Sequence, residues 1–225
     1  MADIQLNSVT LATESGGTVS LDSGVASIPA AGITGVLPVG VTGGSGLDAV
    51  VAGGLIKIGG ASFTSVSTVA LGVNLGTYRV HKLFLDPYYD SGSSSINLYL
   101  RVKIGGSWLA TGGKYNWNQI GKRSSSTTVD GHSGESENEW KLTKDSMRSN
   151  TKSGWDITFH NLVNNTSVDF PCATALGTGV NHDGSSRNLS QFSALQINNT
   201  GEVTDIQFYP NTATIAGSWE LYGLI

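Results

Sequence analysis

The amino-acid sequence predicts an all-β protein, with an extended N-terminal arm followed by a jelly-roll-like antiparallel β-sandwich. Its 225 residues include 30 glycines and many Ser, Thr and Asn, whereas helix-favouring runs of Ala, Leu, Glu and Lys are nearly absent. The stretch INLYLRVKI alternates apolar and polar side chains with the period of two that a half-buried strand requires. Every aromatic residue lies between Phe63 and Tyr222, so the composition changes near residue 62.

Residues 1–62 form the predicted arm, a glycine-rich segment of small and β-branched residues with few charges, as in GVASIPAAGITGVLPVGVTGG. Two interpretations are open. A flexible leader fits the Gly and Ser content. An anchoring or oligomerisation arm, whose short strands pack against neighbouring copies or a larger assembly, fits VSLDSGVASI and LPVGVTGG, because a linker would avoid their Val, Ile and Leu. We favour the anchoring arm.

Residues 63–225 form the predicted sandwich, which we expect to contain about seven to nine strands. The stretch TYRVHKLFLDPYYD predicts a strand that ends at Pro87, because proline has no N–H to donate to a ladder. After the strand INLYLRVKI, Gly105 and Gly106 predict a tight turn, and SWLA begins the return strand. Three further short strands are expected in WDITFHNLV, TSVDFPCAT and FSALQINNT.

The chain closes with two strands that we interpret as a hairpin, VTDIQFY and TIAGSWELY, joined by a turn at PNTAT. Alternation places one apolar face on each strand. These faces consist of Thr204, Ile206 and Phe208 on the first strand and Ile215, Gly217, Trp219 and Leu221 on the second. We therefore expect the C-terminal strand, with Trp219, Leu221 and Tyr222, to be an architectural part of the core.

The alternation fails between about residues 111 and 154, where the sequence is rich in Ser, Gly, Asn and charge. We interpret this segment as a long polar insertion, since loops of such length in compact domains are usually functional or mobile. One short helix is expected in SENEWKLTKDSMRS, where Ser136 would cap the N-terminus and Glu139 would complete a capping box.

Composition and motifs argue against several function classes. A net charge of −4 and a pI near 5.5 disfavour a surface that follows nucleic-acid phosphates. No apolar run reaches the roughly 18 residues of a spanning helix, and the N-terminus lacks the pattern of a secretory leader, so we expect no membrane insertion. Phosphate-cradling glycine motifs are absent. No cofactor is expected.

Catalytic and metal-binding residues are not expected either. The histidines show no metal-ligand spacing, and the single cysteine has no apparent histidine partner; these residues are His81, His132, His160, His182 and Cys172. A carboxylate pair for glycoside hydrolysis would have to come from Glu135, Glu137 or Glu139. We interpret this acidic run as a solvated loop and predict that the protein is not an enzyme.

Four aromatic residues in or beside the polar segment are the candidate glycan-binding or partner-binding residues: Tyr115, Trp117, Trp140 and Trp155. Flat rings beside Asn116, Asn118 and Asp130 suit sugar faces and hydroxyls, and aromatic residues are frequent at binding hot spots. The alternative is that the rings fill the open ends of the sandwich. Both interpretations remain open from the sequence.

The ending ALQINNTGEVTDIQFYPNTATIAGSWELYGLI resembles the C-terminal end of many tailed-bacteriophage structural proteins of the tail-fibre and capsid-decoration type, in which a G-x-W-x-L-Y-G strand closes a β-sandwich. The segments YRVHKLFL and LYLRV are similar to early strands of those domains, and IQLNSVTLATESGGTVSLDSG is similar to their N-terminal arms. The resemblance implies a virion component, made in the host cytoplasm, that forms a homotrimer. It assigns no catalytic residue, because the shared residues, Gly217, Trp219, Leu221, Tyr222 and Gly223, hold a sheet together.

We therefore expect a non-enzymatic structural protein of a bacteriophage virion, most simply a tail fibre or host-attachment protein. Its partners would be other virion proteins of the tail or capsid, with a glycan of the host surface as a further candidate. One alternative is a capsid decoration or head-fibre protein that stabilises the shell. A second alternative is a glycan-binding lectin or depolymerase.

Overall fold

The computed structural model describes residues 2–6, 9–15, 18–21, 54–76, 78–91, 96–124, 127–144, 146–163, 170–181 and 187–224. These residues form strands, turns and bends, and none of them is helical. The all-β prediction is therefore confirmed. The chain divides into two compact units, Met1–Val50 and Val51–Ile225.

The first unit contains a three-stranded antiparallel sheet in the order β1-β2-β3, formed by β1 (Ala2–Leu6), β2 (Val9–Ser15) and β3 (Thr18–Leu21). Each strand pairs with the next along the chain, so the sheet is a simple meander. The stretch LPVGVTGG, in which we expect further short strands, lies outside the described residues.

The second unit contains thirteen strands in its described residues, more than the predicted seven to nine. In chain order they are β4 (Leu55–Val66), β5 (Val69–Ala70), β6 (Val80–Ser91), β7 (Leu98–Ile104), β8 (Ser107–Trp108), β9 (Tyr115–Arg123), β10 (Asp130–Glu137), β11 (Trp140–Lys141), β12 (Gly154–His160), β13 (Cys172–Asn181), β14 (Arg187–Ile197), β15 (Val203–Pro210) and β16 (Thr214–Leu224). The difference arises mainly from two-residue strands and from strands in the polar segment, which sequence alternation does not reveal.

These strands form two antiparallel sheets packed as a sandwich, the larger of which curls into a half-barrel. The larger sheet has eight strands in the order β10-β9-β14-β13-β12-β6-β16-β4. The smaller sheet has the order β11-β7-β15-β5, and β8 pairs with β7. The chain passes from one sheet to the other many times, so most sheet neighbours are distant in sequence.

The core lies between the sheets and is crossed by contacts that join them. The Val102 amide of β7 donates to the Tyr115 hydroxyl of β9 (3.0 Å). The rings of Phe63 on β4 and Phe208 on β15 meet edge to face, with centroids 5.5 Å apart. Such contacts fix the alignment of the sheets because buried polar groups and rings have few alternative partners.

The hairpin predicted around Gly105 and Gly106 is confirmed. Both glycines have positive φ, 58° and 81°, and the turn joins β7 to β8. The predicted alternation of β7 is also confirmed, since Leu98, Leu100 and Val102 are fully buried whereas the intervening side chains are only half-buried.

We expected the polar segment 111–154 to be a long loop, but it contains β9, β10 and β11. The predicted helix is wrong as well, since its residues occupy the end of β10, β11 and an irregular stretch. Ser136 has φ of 56°, and its amide donates to the Asn116 Oδ1 atom (2.8 Å) instead of starting a helix. β10 shows no alternation in its sequence because it is an edge strand. Its residues are exposed on both faces of the sheet, and only Gly134 is buried.

The predicted C-terminal hairpin is wrong, although both of its strands exist. β15 lies in the smaller sheet beside β7, whereas β16 lies in the larger sheet between β6 and β4. The turn after Pro210 therefore carries the chain across the sandwich. On β15 the buried residues are Val203, Ile206, Phe208 and Pro210, and Thr204 is exposed because a bulge near Val203 shifts the pattern.

We expected Pro87 to end its strand, and this prediction is wrong, because β6 continues to Ser91. The register between β6 and β12 ends at Leu85, so Pro87 lies beyond the part of β6 that pairs with β12 and no N–H donor to β12 is needed there. The Pro87 carbonyl instead accepts from the Ser153 amide (3.0 Å). On the other side, Pro87 faces Gly217 of β16.

The boundary between the two units lies between residues 50 and 51, not near residue 62. β4 begins at Leu55 and pairs with β16 along its length. Residues 55–62, which include no aromatic residue, therefore already belong to the larger sheet. The composition changes later than the fold because β4 contributes small residues, including Gly59 and Gly60, opposite the bulky residues of β16.

Candidate functional site

Three of the four candidate aromatic residues lie in the core: Tyr115, Trp140 and Trp155. Tyr115 and Trp140 are fully buried, and Trp155 is 3% exposed. The Trp140 Nε1 atom donates to the Ser193 hydroxyl (2.8 Å), and the Trp155 Nε1 atom donates to the Ser153 hydroxyl (3.0 Å). Their faces are covered, so these rings fill the sandwich and offer no surface to a sugar.

Trp117, the fourth candidate, is half-buried on β9 and packs against the core. Gly134 of β10 lies directly over its ring, and any Cβ at that glycine would collide with it. Within the described residues, the buried Trp117 Nε1 atom has no hydrogen-bond partner. Trp117 is thus covered by its neighbouring strand and does not join the other three rings in one site.

The acidic run is divided by the structure. Glu135 and Glu137 are exposed on β10, the edge strand of the larger sheet. Glu139 is half-buried, and its Oε2 atom accepts a hydrogen bond from the hydroxyl of Tyr209 on the smaller sheet. Glu139 therefore serves as a fixed acceptor in a cluster that we describe below.

The architectural residues of the C-terminal strand lie on both faces of β16. Trp219 and Leu221 are buried in the core, as expected. Tyr222 points to the outer face, where its ring meets Phe84 edge to face at 5.9 Å and its hydroxyl donates to Glu220 (2.7 Å). Tyr222 thus belongs to the outer surface of the larger sheet.

The outer face of the smaller sheet carries the cluster that we call the tyrosine face, defined as Tyr99, Arg101, Lys103, Trp108, Glu139 and Tyr209. β7 contributes Tyr99, Arg101 and Lys103 at alternate positions, so they share one face. Tyr99 lies directly opposite Tyr209 of β15 in the register. Their rings stack with centroids 5.9 Å apart and an angle of 23° between the planes.

Cations lie against the aromatic rings along this face. The Arg101 guanidinium is 4.2 Å from the centre of the Tyr209 ring, and the Lys103 Nζ atom is 5.8 Å from that of Trp108. Both distances lie within the roughly 6 Å range of cation–π attraction. Arg101 also has a buried Nε atom without a hydrogen-bond partner among the described residues. The side chains therefore hold one another in place before any ligand arrives.

The two tyrosine hydroxyls of the face remain protonated over a wide pH range. Partial burial raises the pKa of Tyr209 well above its ordinary range, and the hydrogen bond to Glu139 raises that pKa further. Burial also raises the pKa of Tyr99, with additional contributions from the charges of Glu139 and Glu137. Each hydroxyl is thus a hydrogen-bond donor at neutral pH.

The remaining candidate groups do not come together. Within the described ranges, no three His, Cys, Asp or Glu side chains are placed to share a metal ion. Cys172 is half-buried, and burial raises the pKa of its thiol, which disfavours the reactive thiolate. His182 lies outside the described residues. In the described part of the chain, no helix has the length and apolar character needed to cross a membrane.

Comparison of the chain with protein-family models, curated proteins and solved structures gives no match.

Apart from Glu139, the residues of the tyrosine face were not among the sequence candidates, although a signal for them was present. In INLYLRVKI, Tyr99 falls on the polar side of the alternation, together with Arg101 and Lys103. A tyrosine that shares a solvent-facing strand side with an arginine is typical of interfaces, where both residue types are enriched. The partner Tyr209 was harder to find, because the β7–β15 pairing joins residues that are distant in sequence.

The tyrosine face is a preorganised surface of rings, one guanidinium, one ammonium and one carboxylate. Tyr, Trp and Arg are the residues that contribute most often to macromolecular interfaces. Since they are ordered by mutual contacts on a rigid sheet, their side-chain entropy is largely lost before binding. The arrangement suits recognition of another molecular surface.

Proposed function

We propose that the protein is a non-enzymatic structural component of a bacteriophage virion that acts as a tail fibre or host-attachment protein. The observation that supports this proposal best is the tyrosine face, an ordered aromatic and charged surface displayed on a β-sandwich. A sandwich of this kind suits repeated display, because many copies with modest contacts bind strongly together. The resemblance of the C-terminal strand to phage structural proteins supports the same assignment.

The first unit supplies the proposed anchor. Residues 1–50 contain no aromatic residue and few charges, whereas the aromatic residues all belong to the second unit. A segment of small aliphatic residues gains burial most readily by packing against other chains. We propose that it attaches the protein to the virion or to sister chains, in a homotrimer.

Imaging of intact particles by electron cryomicroscopy tests the location. We expect density for the sandwich on the tail, in groups of three copies. Density on the head would replace the fibre assignment with capsid decoration. The fragment 51–225 should be absent from purified particles when it replaces the full chain, and its retention there would contradict the anchoring role of residues 1–50.

The contribution of the tyrosine face is tested by substituting Arg101→Ala. This change removes the guanidinium that lies on Tyr209 but leaves the buried side of β7 intact. Hot-spot residues contribute at least about 1–2 kcal/mol, so we expect particle adsorption to host cells to weaken roughly tenfold. The matched control is Lys122→Ala on the exposed side of β9, which should adsorb normally. Equal adsorption by both variants would exclude the face from attachment.

The depolymerase alternative has its own test. If the protein cleaves polysaccharides through Glu135, Glu137 or Glu139, cleavage should be measurable over a broad panel and should be lost when one of these residues is changed to Gln. We expect no cleavage by the parent protein.

A further inference from the structure

A polar cleft of about 630 Å³ opens on the outer face of the larger sheet, away from the tyrosine face. It forms where β12 begins. Gly154, the first residue of β12, pairs with Thr178 of β13, whereas pairing between β12 and β6 begins only at Trp155 and Leu85. The chain just before β12 remains hydrogen-bonded to β6, since the Ser153 amide donates to the Pro87 carbonyl and the Tyr89 amide donates to the Thr151 carbonyl (both 3.0 Å). Gly154 therefore lies between Asp86 of β6 and Thr178 of β13, and its missing side chain leaves the cleft open on the outer face.

Polar side chains line this cleft from both sides. They include Asp86, Tyr88, Lys152, Thr178, Ser190 and Ser218. Within the part of the chain that the structure describes, neither the Asp86 carboxylate nor the Lys152 ammonium has an ion-pair or hydrogen-bond partner. The cleft therefore offers an acceptor, a cation and several hydroxyls that are free to bind a ligand.

Glycine keeps the cleft open. A Cβ atom added at Gly154 would lie 3.4 Å from the Asp86 Oδ1 atom and 3.7 Å from the Thr178 Oγ1 atom. These are ordinary contact distances, so an added side chain would fit sterically but would occupy ligand space. Across the cleft, Gly217 has φ of 142°, and a Cβ there would collide with the Asp86 carbonyl. The close approach of β16 and β6 thus fixes the position of Asp86.

The chemistry of the lining selects a class of ligand. An apolar ligand would displace water from these polar groups without replacing its hydrogen bonds. A phosphate or other strong anion would meet the Asp86 carboxylate, with only Lys152 to offset the repulsion. A neutral molecule with many hydroxyls can donate to Asp86, accept from Lys152, and place its C–H face on the Tyr88 ring. The volume of the cleft, about 630 Å³, lies within the range of small-molecule pockets.

We propose that this cleft binds a neutral oligosaccharide. The binding activity goes beyond the proposed virion role and does not involve the tyrosine face. It is measured on the purified full chain, so its failure would leave the virion assignment to be decided by particle imaging.

The test uses an array of neutral and sialylated oligosaccharides, followed by calorimetric titration of the strongest ligand. We expect the parent chain to bind at least one neutral oligosaccharide. Thr178→Ala, Asp86→Ala and Gly154→Val should each weaken binding at least fivefold. The matched control is Thr174→Ala, because Thr174 is exposed on the same face of β13, four residues from Thr178.

Unchanged melting temperatures are required of each variant, and Gly154→Ala replaces Gly154→Val if the larger side chain lowers stability. Failure to bind any neutral oligosaccharide would overturn the proposal, as would binding restricted to sialylated ligands. Parent-like affinity in both Thr178→Ala and Asp86→Ala would also overturn it, since the ligand would then bind elsewhere.

Discussion

His81 is fully buried on β6 and is held in its neutral form. Its Nε2 atom lies 2.9 Å from the Leu75 carbonyl and donates to it, and the Tyr78 ring meets its imidazole edge to face. The Nδ1 atom is buried without a partner among the described residues. Burial lowers the pKa of His81 below its ordinary value of 6.5, an effect that the Leu75 hydrogen bond partly offsets.

This histidine makes stability depend on pH. Below its ordinary pKa of 6.5, the unfolded chain binds a proton that the folded chain resists. Unfolding is therefore favoured as the pH falls, by at most about 1.4 kcal/mol per pH unit for one proton. We expect urea unfolding between pH 7.5 and 5.5 to reveal this slope, and His81→Gln to reduce it. His132→Gln, exposed on β10, should retain the slope.

Core and surface tryptophans should respond differently to truncation. Trp140 is fully buried and bonds across the sandwich to Ser193, whereas Trp108 is half-buried on the tyrosine face. Trp140→Ala should lower the free energy of unfolding by about 3–5 kcal/mol. Trp108→Ala should lower it by less than about 1 kcal/mol. Denaturant titrations compare the two, and equal losses would contradict the assigned positions.

For individual residues, the sequence distinguishes buried from exposed side chains only where apolar and polar residues alternate regularly. The buried Leu98, Leu100 and Val102 of β7 were predicted correctly from their spacing. Trp140 and Tyr115 were not, because they lie at the ends of short or irregular strands, where two or three residues carry no period. Their burial depends on the opposite sheet, which the local sequence does not specify.

Among the elements, β16 is the most constrained by its surroundings. It lies between β6 and β4 and pairs with both over most of its length. Gly217 marks the narrowest point, where the backbone of β6 at Asp86 approaches so closely that no Cβ fits. The positive φ of 142° adds a second reason for glycine at this position.

Gly217→Ala should therefore be more harmful than the same change in an open turn. At Gly106, φ is also positive, 81°, but no atom lies within 4 Å of an added Cβ. We expect Gly106→Ala to lower stability by about 1 kcal/mol through backbone strain alone. Gly217→Ala should lower it by about 2–4 kcal/mol, because strain and steric overlap combine. Thermal unfolding of the two variants measures this difference, and a milder effect at Gly217 would contradict the close approach.

The strand pairing that was predicted correctly is a local one. The β7–β8 hairpin is closed by adjacent glycines, so turn chemistry identifies both strands. β15 and β16 follow each other with a short turn and alternate well, yet they pair with strands from different sheets. A turn of three residues permits either a hairpin or a crossing between layers. The choice is made by β7, β6 and β4, which precede them by many residues.

For the whole molecule, the position of the unit boundary decides which fragments fold. The second unit begins at Val51, and β4 starts at Leu55. The predicted boundary near residue 62 would cut through β4. Aromatic content located the change in composition, but pairing with β16 determines where the sandwich starts.

Two fragments distinguish these boundaries. The fragment 51–225 keeps β4 intact and should melt cooperatively. The fragment 63–225 loses most of β4, which exposes the flank of β16 and removes partly buried residues such as Ile58. We expect its melting temperature to be lower by at least about 5 °C, which corresponds to a loss of roughly 2 kcal/mol for a domain of this size. Differential scanning calorimetry compares them, and equal melting temperatures would restore the boundary near residue 62.

The candidate site was less predictable than the fold class. Composition was enough to predict an all-β sandwich, since it sums over the whole chain. The tyrosine face and the polar cleft depend on which strands are neighbours, and no local pattern fixes that order. Tyr99 and Tyr209 meet only because β7 pairs with β15, and Asp86 and Thr178 line one cleft only because Gly154 of β12 lies between β6 and β13.

The interior position of the last strand has a consequence for biosynthesis. β4, near the start of the second unit, has no neighbour in the larger sheet until β16 has left the ribosome. The sheet therefore closes only after all of its other strands have been synthesised. A prematurely terminated chain would keep two unpaired strand edges, at β6 and β4, and would be open to proteolysis or aggregation. Copies that lack β16 would therefore be removed before they accumulate.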